Sequence, residues 1–532
     1  MNKNKREALF DNRIVGGAFS LTLSAVIVKI LGLIYKIPLS NMLGDEGMGF
    51  FNSAYTVYTF FYLLCTAGVP KAVMILVSEA KAKGKGGDER TIVRVASFAF
   101  LLLGIAMTAI FILFSNSLAN FIGNSKARAT MIAIAPSIIF ISLSGVIRGY
   151  LSANMRLLDI AVSQIIEGVC KLALGLIFAL YAIRRAMPLE IVSAFTILGV
   201  TFGALAGLIH LLICTKIKIS KENIGQNARI EYNGVIGRIL RISLPITLSA
   251  AIMSVTNIID LTLIMRSLLG IGYTDQEASA FYGNYTTLAV PMFNLAISLV
   301  TPISMAFLPI FTRARVSCDD ELLSSSLLSS LRLSAIISAP ILIGMTLFSK
   351  EILSLLFGNS GIEIGATLLC LLAPAIFFSS VLLSVNSALE AGGQVRAPVI
   401  SMLFGGAAKI LVSYLLLTNP EFGISGAPIG TVVSYAVALT VSGIIYISKT
   451  STSIPILKSS FLPYLSSLAS VGASRLLYLN CFQGIHKTLS LGISIVIAAM
   501  IYAVLLVFTG TFRPFKLEKQ QNIQKWREKI IK

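Results

Sequence analysis

The chain has 532 residues, of which 56% are hydrophobic and only 13% charged, and its mean hydropathy is +0.85. A soluble domain carries about 25% charged residues, so the composition excludes that class and indicates a polytopic membrane protein. The net charge of +19 does not indicate nucleic-acid binding, because the basic residues lie in short loops and at the two ends instead of in one patch.

The sequence offers no constellation of catalytic or metal-binding residues. The six cysteines have no CxxC spacing, and most lie in apolar runs, which is typical of small buried side chains. The two histidines, His210 and His486, are too few and too far apart for a metal site or a Ser-His-Asp triad. We therefore expect no enzyme activity, no metal and no cofactor.

The apolar segments predict an all-α membrane protein with about fourteen transmembrane helices. A span needs about 20 residues to cross the hydrocarbon core, and isolated strands would leave backbone groups unpaired in lipid. The predicted spans lie near residues 14–38, 48–76, 93–115, 128–150, 158–182, 191–214, 239–265, 279–310, 327–348, 364–389, 397–417, 425–447, 457–477 and 488–509.

The longest polar break divides these spans into two groups. We expect a lobe of six helices, a cytoplasmic connector, a second lobe of six helices, two further helices and a basic cytoplasmic tail. Their predicted bounds are 1–215, 216–238, 239–450, 451–510 and 511–532.

The basic residues predict the orientation in the membrane. About 29 of the 43 Lys and Arg residues fall in loops on the N-terminal side and about 8 on the other side. Lys81, Lys83 and Lys85 lie together in one loop of the first group, whereas Asp45 and Glu46 form an acidic turn on the opposite side. We therefore expect both termini in the cytoplasm and the chain in the cell membrane.

The two groups of helices repeat each other weakly. Ala135-Pro136 and Ala373-Pro374 are related by an ungapped offset of 238 positions, which also pairs Lys171 with Lys409. About ten identities occur in about 43 positions, against roughly three by chance. This predicts two six-helix lobes of the same topology that rock against each other around a central site.

Basic residues inside spans are expensive and usually face a polar cavity or a partner. They are Lys29, Lys36, Lys71, Lys171, Arg332 and Lys409. Lys29 and Lys36 are two turns apart and share a helix face, which favours an anionic ligand. Lys29 lies roughly 22 Å along its span, too deep to reach the inner interface, whereas Lys36 is close enough to the outer surface to snorkel there. Lys71 follows Pro70 near the cytoplasmic side.

Lys171 and Lys409 occupy equivalent positions in the repeat, and two interpretations stay open for them. Each either contacts a ligand or neutralises an acid, such as Glu167 one turn from Lys171. Asp260 and Asn257 are three residues apart and are candidates for coupling to a cation or proton, with a salt bridge as the alternative.

Five tyrosines in the second and eighth spans also allow two interpretations. Either they stack on sugar, or they form a belt at the membrane interface, and the belt is favoured for most of them. They are Tyr55, Tyr58, Tyr62, Tyr282 and Tyr285.

The first two spans resemble a known family. The residues concerned are Lys-Ile-Leu-Gly-Leu-Ile-Tyr-Lys-Ile-Pro-Leu at 29–39, Leu-Gly-Asp-Glu-Gly at 43–47, Ala-Gly-Val-Pro at 67–70 and Val-Ser-Glu at 77–79. They are similar to the stage V sporulation protein B family of lipid-linked oligosaccharide flippases. This polysaccharide biosynthesis family belongs to the same superfamily as the lipid II flippase and the multidrug and toxin extrusion exporters.

The resemblance implies an architecture and a substrate. Helices one to six and seven to twelve would form two lobes around a cationic cavity, and the last two helices would resemble a groove for a lipid tail. The substrate would be an undecaprenyl-linked saccharide, whose pyrophosphate explains the buried positive charge. The lipid II flippase has arginines where this chain has Lys29, and some relatives have acids for sodium where the eleventh span here offers Lys409.

The expected function is therefore a flippase that moves a polyprenyl-linked saccharide across the cytoplasmic membrane by alternating access. Its substrate would be a peptidoglycan precursor or a polysaccharide unit, with spore cortex synthesis as one setting. The expected substrate-binding residues are Lys29, Lys36, Lys71, Lys171 and Lys409, and the expected partners are the lipid-linked saccharide, membrane lipids, and a coupling cation or the membrane potential.

Two rival functions are distinguished by residues that each would need. A cation-coupled multidrug exporter would need intramembrane carboxylates, and the chain has few, chiefly Glu167, Asp260 and Glu390. A membrane glycosyltransferase or ligase would need a sizeable soluble loop, and no predicted loop is long enough. The exporter is kept as the alternative.

Overall fold

The computed structural model describes residues 3–82, 86–215, 232–317, 319–358, 361–394, 396–450, 453–481 and 487–511. Before Leu31 in the first helix, side chains are described only for Ser24, Ile27 and Val28. Within these ranges the chain is built from helices and contains no β-strand.

The chain divides into two compact units. The first unit comprises Met1–Pro291, Leu356–Gly365 and Ser413–Ala427, and the second comprises Met292–Leu355, Ala366–Val412 and Pro428–Lys532. The first unit extends past the predicted connector because the helices up to Asn284 pack on those before residue 216. The predicted lobes are sets of helices that move together, and packing in one structure does not test such movement. The lobe boundaries at 215 and 239 therefore stay a prediction.

The described residues of the first unit up to Pro291 form nine helices and part of a tenth. They are α1 (Lys3–Thr66), α2 (Val69–Ala82), α3 (Gly86–Phe121), α4 (Arg128–Ile134), α5 (Ser137–Ala153), α6 (Leu157–Arg184), α7 (Leu189–Thr215), α8 (Tyr232–Gly270), α9 (Asp275–Asn284) and the start of α10 (Val290–Val316).

Eight more helices are described after α10. They are α11 (Asp320–Leu347), α12 (Ser349–Phe357), α13 (Ile362–Leu372), α14 (Pro374–Ala391), α15 (Ala397–Leu417), α16 (Gly426–Thr450), α17 (Ile456–Cys481) and α18 (Lys487–Phe508).

The long helix α1 is broken at Gly44. This residue has φ +63° and ψ −174°, a backbone conformation that only glycine adopts readily. The break lies in the acidic turn that the sequence places between the first two spans. The half of α1 before Gly44 carries Lys29 and Lys36, and the half after it carries Tyr55, Tyr58 and Tyr62.

The connection from α9 to α10 contains a wider helical turn. The start of α9 is fixed by a capping box, in which Thr274 Oγ1 accepts from the Glu277 N–H and Glu277 Oε2 accepts from the Thr274 N–H. Residues 285–289 then form a π-helical segment, in which the Val290 N–H bonds to the Tyr285 carbonyl. Pro291 follows and has no N–H, so a regular α-helical ladder cannot continue through this point.

The first unit is held together by apolar side chains and by close approach of α6 and α7. One cluster joins α2, α3, α5 and α8 and includes Val73, Leu76, Phe100 and Ile239. Between α6 and α7, a Cβ at Gly199 would lie 2.5 Å from the Gly175 Cα, so the two backbones are in contact. Glycine at both positions lets the helices approach in this way.

In the second unit, α11 packs against α14 and α17 through serines, since Ser330 and Ser334 bond to Ser384 of α14. Buried serines recur every fourth residue on α11 at Ser326, Ser330, Ser334 and Ser338, which places them on one helix face. Ser338 and Tyr464 share a hydrogen bond of 2.9 Å, and Arg475 pairs with Glu351 at 2.6 Å. Small side chains and interhelical hydrogen bonds are typical of helix contacts in membranes.

Ten described helical stretches are long and apolar enough to cross a membrane, and a bent pair at Ser125–Ile134 and Ser137–Ala153 forms an eleventh candidate. The other three predicted spans were 14–38, 239–265 and 457–477. Side chains of the first two are only partly described, and the third corresponds to α17, whose serines and Arg475 lower its hydropathy. The count of fourteen therefore stays a prediction.

Candidate anion-binding site

Lys36 lies at the π-helical segment. Its ammonium donates a 2.9 Å hydrogen bond to the backbone carbonyl of Thr286, 250 residues away in the sequence. The side chain is thus held inside the first unit, and the snorkelling alternative for Lys36 is not what the structure shows.

Lys171 on α6 lies above two aromatic rings of α1. Its ammonium nitrogen is 5.6 Å from the centre of the Tyr35 ring and 5.0 Å from that of Tyr55, within the range of cation–π attraction. The Tyr35 hydroxyl is fixed in turn by the Thr196 carbonyl of α7 at 3.3 Å. No described carboxylate forms an ion pair with Lys171, and the charges of Lys171 and Lys36 are close enough to repel each other.

Glu167 pairs with Arg148, and not with Lys171 as one interpretation of the sequence proposed. Arg148 Nη2 on α5 lies 2.9 Å from Glu167 Oε2 on α6, and both side chains are largely shielded from solvent. Arg148 Nε is buried and has no hydrogen-bond partner within the described part of the chain. This donor is therefore available to a ligand or to a water molecule.

Sequence reasoning missed Arg148. It lies two residues before the end of the predicted span 128–150, so its position groups it with the loop residues. The sequence holds one signal, since Gly145 and Gly149 are four residues apart around Arg148, a spacing typical of closely packed membrane helices. In the structure a Cβ at Gly149 would lie 2.6 Å from the Pro70 carbonyl oxygen.

A row of aromatic rings runs along α1 beside these charges. The ring centres are 6.3 Å apart for Phe51 and Tyr55, 5.7 Å for Tyr55 and Tyr58, and 6.0 Å for Tyr58 and Tyr62. Tyr62 lies close enough to Arg148 and Glu167 to interact with their charges. The row thus extends from the Lys171 ammonium to the Arg148–Glu167 pair.

The belt interpretation is wrong for three of the five tyrosines. Tyr58, Tyr282 and Tyr285 are 3%, 4% and 3% exposed, so they lie in the protein interior. Tyr282 also shares a 3.0 Å hydrogen bond with Thr56. A residue in an interface belt would instead present its ring to the headgroups.

We call Lys36, Arg148, Glu167 and Lys171 the cationic cluster. Three cations and one carboxylate leave it with a net positive charge inside a bundle of membrane-length helices. Such charge is costly unless it has a counter-ion, and charge-assisted hydrogen bonds to phosphate or carboxylate are the strong ones. The arrangement is suited to binding an anionic group beside aromatic rings.

A tight contact between α1 and α9 adjoins the cluster, and we call it the seam. Its polar contacts are Asn52 Nδ2 to Thr287 Oγ1 at 2.7 Å, Thr56 with Tyr282, and Asn284 Nδ2 to Asp45 Oδ2 at 3.2 Å. The backbones also touch, since a Cβ at Gly49 would lie 2.0 Å from the Ser279 carbonyl oxygen and one at Gly283 would lie 2.2 Å from that of Asp45. Polar side-chain bonds and close backbone approach thus hold α1 against α9.

A family model described as polysaccharide biosynthesis protein matches residues 14–315, more than half of the chain. The chain belongs to this family.

Relatives with known names extend the similarity over most of the protein. Stage V sporulation protein B of Bacillus subtilis (strain 168) is 24% identical over 444 residues, which cover 81% of this chain and 84% of that protein. Lipid II flippase MurJ of the same strain is 25% identical over 453 residues, 81% of each chain.

A solved structure described as lipid II flippase MurJ in an inward closed conformation matches with a TM-score of 0.70. It covers 92% of this chain and 98% of its own at 14% identity, which shows a common fold. The expectation of an all-α polytopic fold in this family is confirmed, and this polysaccharide biosynthesis protein is a multi-pass membrane protein.

The other residues expected to bind substrate in this family member are not brought into the cationic cluster by the described contacts. Lys29 lies in α1, but its side chain is outside the described residues. Lys71 is exposed on the first turn of α2 and has no described contact with the cluster. Lys409 belongs to the second unit, where its charge lies close to Tyr435.

The candidates for ion coupling lie on α8. Asp260 is half-buried and close to Tyr282, and Asn257 is exposed. The described side chains contain no group of three or more His, Cys, Asp and Glu residues arranged for a metal ion. A coupling role for Asp260 and Asn257 therefore stays a prediction.

Proposed function

We propose that this polysaccharide biosynthesis family protein moves a polyprenyl-linked saccharide across the cytoplasmic membrane by alternating access. The observation that carries the proposal is the cationic cluster, in which three cations in the interior of the first unit have one carboxylate among them. A diphosphate linkage between lipid and sugar supplies the missing negative charge.

Each part of the cluster has a role in this proposal. Lys171 and Lys36 bind the phosphate oxygens, and the spare Nε–H of Arg148 adds a directed hydrogen bond. The exposed part of the Tyr55 ring offers a face on which a sugar can stack, since aromatic rings pack well against apolar faces of a ring. The carried unit is a peptidoglycan precursor or a polysaccharide unit, in line with the name of the MurJ relative. The name of the stage V sporulation protein B relative supports a role in sporulation, for which spore cortex synthesis is the setting proposed here.

The remaining expectations complete the proposal. Lys29, Lys71 and Lys409 bind phosphate at other depths of the transport path, and Asp260 with Asn257 couples transport to a cation or to the membrane potential. The helices of 451–510 hold the lipid tail, and both termini lie in the cytoplasm. The protein transports its substrate without changing it chemically.

Support for the lipid-tail role comes from the surface of α17 and α18. Large apolar side chains project from them into the surroundings, among them Leu457 at 80%, Phe508 at 85% and Val507 at 70% exposed. An exposed apolar surface of this kind contacts lipid chains in a membrane protein.

The test uses purified protein in liposomes with a labelled polyprenyl diphosphate saccharide on one leaflet. Transfer to the other leaflet is measured for the unmodified protein, for Lys171→Ala and for the control Lys449→Ala. Lys449 is exposed at the end of α16, so its loss removes one charge outside the cluster. We expect Lys171→Ala to slow transfer about ten-fold or more, the effect of losing one hydrogen bond to a charged group, and the control to transfer normally.

The alternative function has its own readout. A cation-coupled exporter would leave lipid-linked precursors normally distributed between the leaflets when the protein is depleted from cells, and depletion would sensitise the cells to cationic dyes. That pair of results would replace the flippase proposal.

A further inference from the structure

The backbone carbonyl of Thr286 has lost its donor within its own helix. In an α-helical ladder this carbonyl would accept from the Val290 N–H, but that group bonds to Tyr285 in the π-helical segment. In the wider π ladder the donor would be residue 291, five positions on, which is proline and has no N–H. The segment therefore contains a partly buried acceptor that needs a donor from elsewhere.

Lys36 supplies that donor. Its ammonium bonds to the Thr286 carbonyl at 2.9 Å, while its charge is repelled by Lys171 in the same cluster. Lys36 thus contacts both the cationic cluster and the π-helical segment.

The π-helical segment forms part of the seam. Thr287 accepts from Asn52, and the Thr286 hydroxyl bonds to the Tyr282 carbonyl, so the segment is tied to α1 and to the end of α9. Whatever holds the Thr286 carbonyl therefore also helps to hold α9 against α1.

We propose that Lys36 is a latch that couples occupancy of the cationic cluster to the opening of the seam. While the ammonium bonds to the Thr286 carbonyl, the seam is closed. When a phosphate binds the cluster, the Lys36 ammonium donates to it instead of to the Thr286 carbonyl, because a bond to a charged phosphate is stronger than one to a neutral carbonyl. The carbonyl then loses its donor, and the closed seam is destabilised relative to the open one.

The latch deepens the proposed function and rests on it, because it takes a polyprenyl diphosphate as the anion that binds the cluster. A ligand shifts a conformational equilibrium only by the difference in its affinity for the two states. Lys36 provides that difference, since its ammonium is fully free for the ligand only when the seam opens.

The test measures how fast an impermeant thiol reagent modifies a cysteine placed in the seam. Ser279→Cys, in protein whose native cysteines are replaced by serine or alanine, is a suitable reporter because Ser279 is 0% exposed and faces Gly49. Without ligand, Lys36→Met should raise the labelling rate about ten-fold, the effect of one hydrogen bond to a charged group. The matched control is Lys171→Met, which removes a charge from the same cluster but leaves the donor to Thr286 in place. It should label no faster than the parent, because relief of the repulsion can only strengthen the bond of Lys36 to the Thr286 carbonyl.

A second variant tests the carbonyl directly. Pro291→Ala restores an N–H at the position where the Thr286 carbonyl lacks its donor, so it should suppress the effect of Lys36→Met and return labelling to the parent rate. Undecaprenyl diphosphate should speed labelling of the parent and leave Lys36→Met unchanged. Equal labelling of Lys36→Met and parent, or equally fast labelling of Lys171→Met, would overturn the latch.

Failure of the latch can be told apart from failure of the proposed function. Binding of undecaprenyl diphosphate to the parent is measured separately by native mass spectrometry. Absence of binding there contradicts the proposed function, while the comparison of Lys36→Met with its Pro291→Ala double variant needs no ligand and still decides the latch.

Discussion

Arg148 on α5 and Glu167 on α6 form an ion pair with 2.9 Å between Nη2 and Oε2, in a helix bundle where Glu167 also lies one turn from Lys171. Glu167 thus pairs with Arg148 of the neighbouring helix and not with Lys171 of its own helix. Lys171 is left to its two tyrosine rings and keeps its charge available to a ligand.

Breaking this pair should destabilise the protein. Glu167→Gln removes the partner of a largely buried guanidinium, and we expect the free energy of unfolding to fall by about 1–3 kcal/mol. Thermal unfolding in detergent measures the change. The control is Asp159→Asn, which breaks the more exposed Arg156–Asp159 pair and should change the free energy of unfolding by less than about 1 kcal/mol. Equal effects of the two variants would contradict a structural role for the Arg148–Glu167 pair.

Gly49→Ala should prevent the seam from closing. The new Cβ would lie 2.0 Å from the Ser279 carbonyl oxygen, and packed backbones have no room to absorb that overlap. We expect thiol labelling at position 279 to rise at least about ten-fold, as the two helices separate. Gly237→Ala on α8 is the control, because a Cβ there has no neighbour within 4 Å. Slow labelling of Gly49→Ala would mean that the seam can close without this contact.

Tyr55→Leu should weaken substrate binding, while Tyr55→Phe should not. The ring of Tyr55 lies 5.0 Å below the Lys171 ammonium, and a cation–π contact contributes about 0.5–2 kcal/mol, so affinity should fall about 2- to 30-fold when the ring is lost. Titration with undecaprenyl diphosphate measures this. Tyr181→Leu removes a similar contact with Arg185 at 5.6 Å and serves as the control. If Tyr55→Phe binds as weakly as Tyr55→Leu, the hydroxyl rather than the ring is responsible.

Lys29→Ala should abolish transport while the protein still inserts and accumulates normally. A charge this deep in a span costs about 2.5–3.5 kcal/mol on insertion scales, which a role in phosphate binding explains. Lys29→Arg should retain part of the activity, since the charge remains but the geometry of phosphate contact changes. The liposome transfer measurement checks both variants. If Lys29→Ala transports at the parent rate, Lys29 does not bind the phosphate and other residues must do so.

Cysteines at Asp45 and Lys83 should be labelled from opposite sides of the membrane. The acidic turn and the basic loop differ in charge as outer and cytoplasmic loops do. Labelling of intact cells with an impermeant reagent, before and after permeabilisation, measures the sidedness. Labelling of both positions from one side would contradict cytoplasmic termini.

Composition and the apolar runs are enough to predict the class of protein and most of its helices. Long apolar runs cannot be exposed to water, and in lipid the backbone must satisfy its own hydrogen bonds, so membrane helices follow from composition alone. The break at Gly44 was also readable, because a turn rich in glycine and acid interrupts the two apolar runs. The lysines at 36 and 171 stood out since charge in such runs is rare.

The partners of those charges depend on how the helices pack against each other. Glu167 had candidate partners on its own helix, and the choice of Arg148 depends on how α5 packs against α6. Local sequence accounts for the unpaired carbonyl of Thr286, because Pro291 has no N–H, but the donor comes from Lys36, 250 residues away. Partners separated by that distance in the chain are chosen by packing between helices, which the spacing of residues along one helix does not encode.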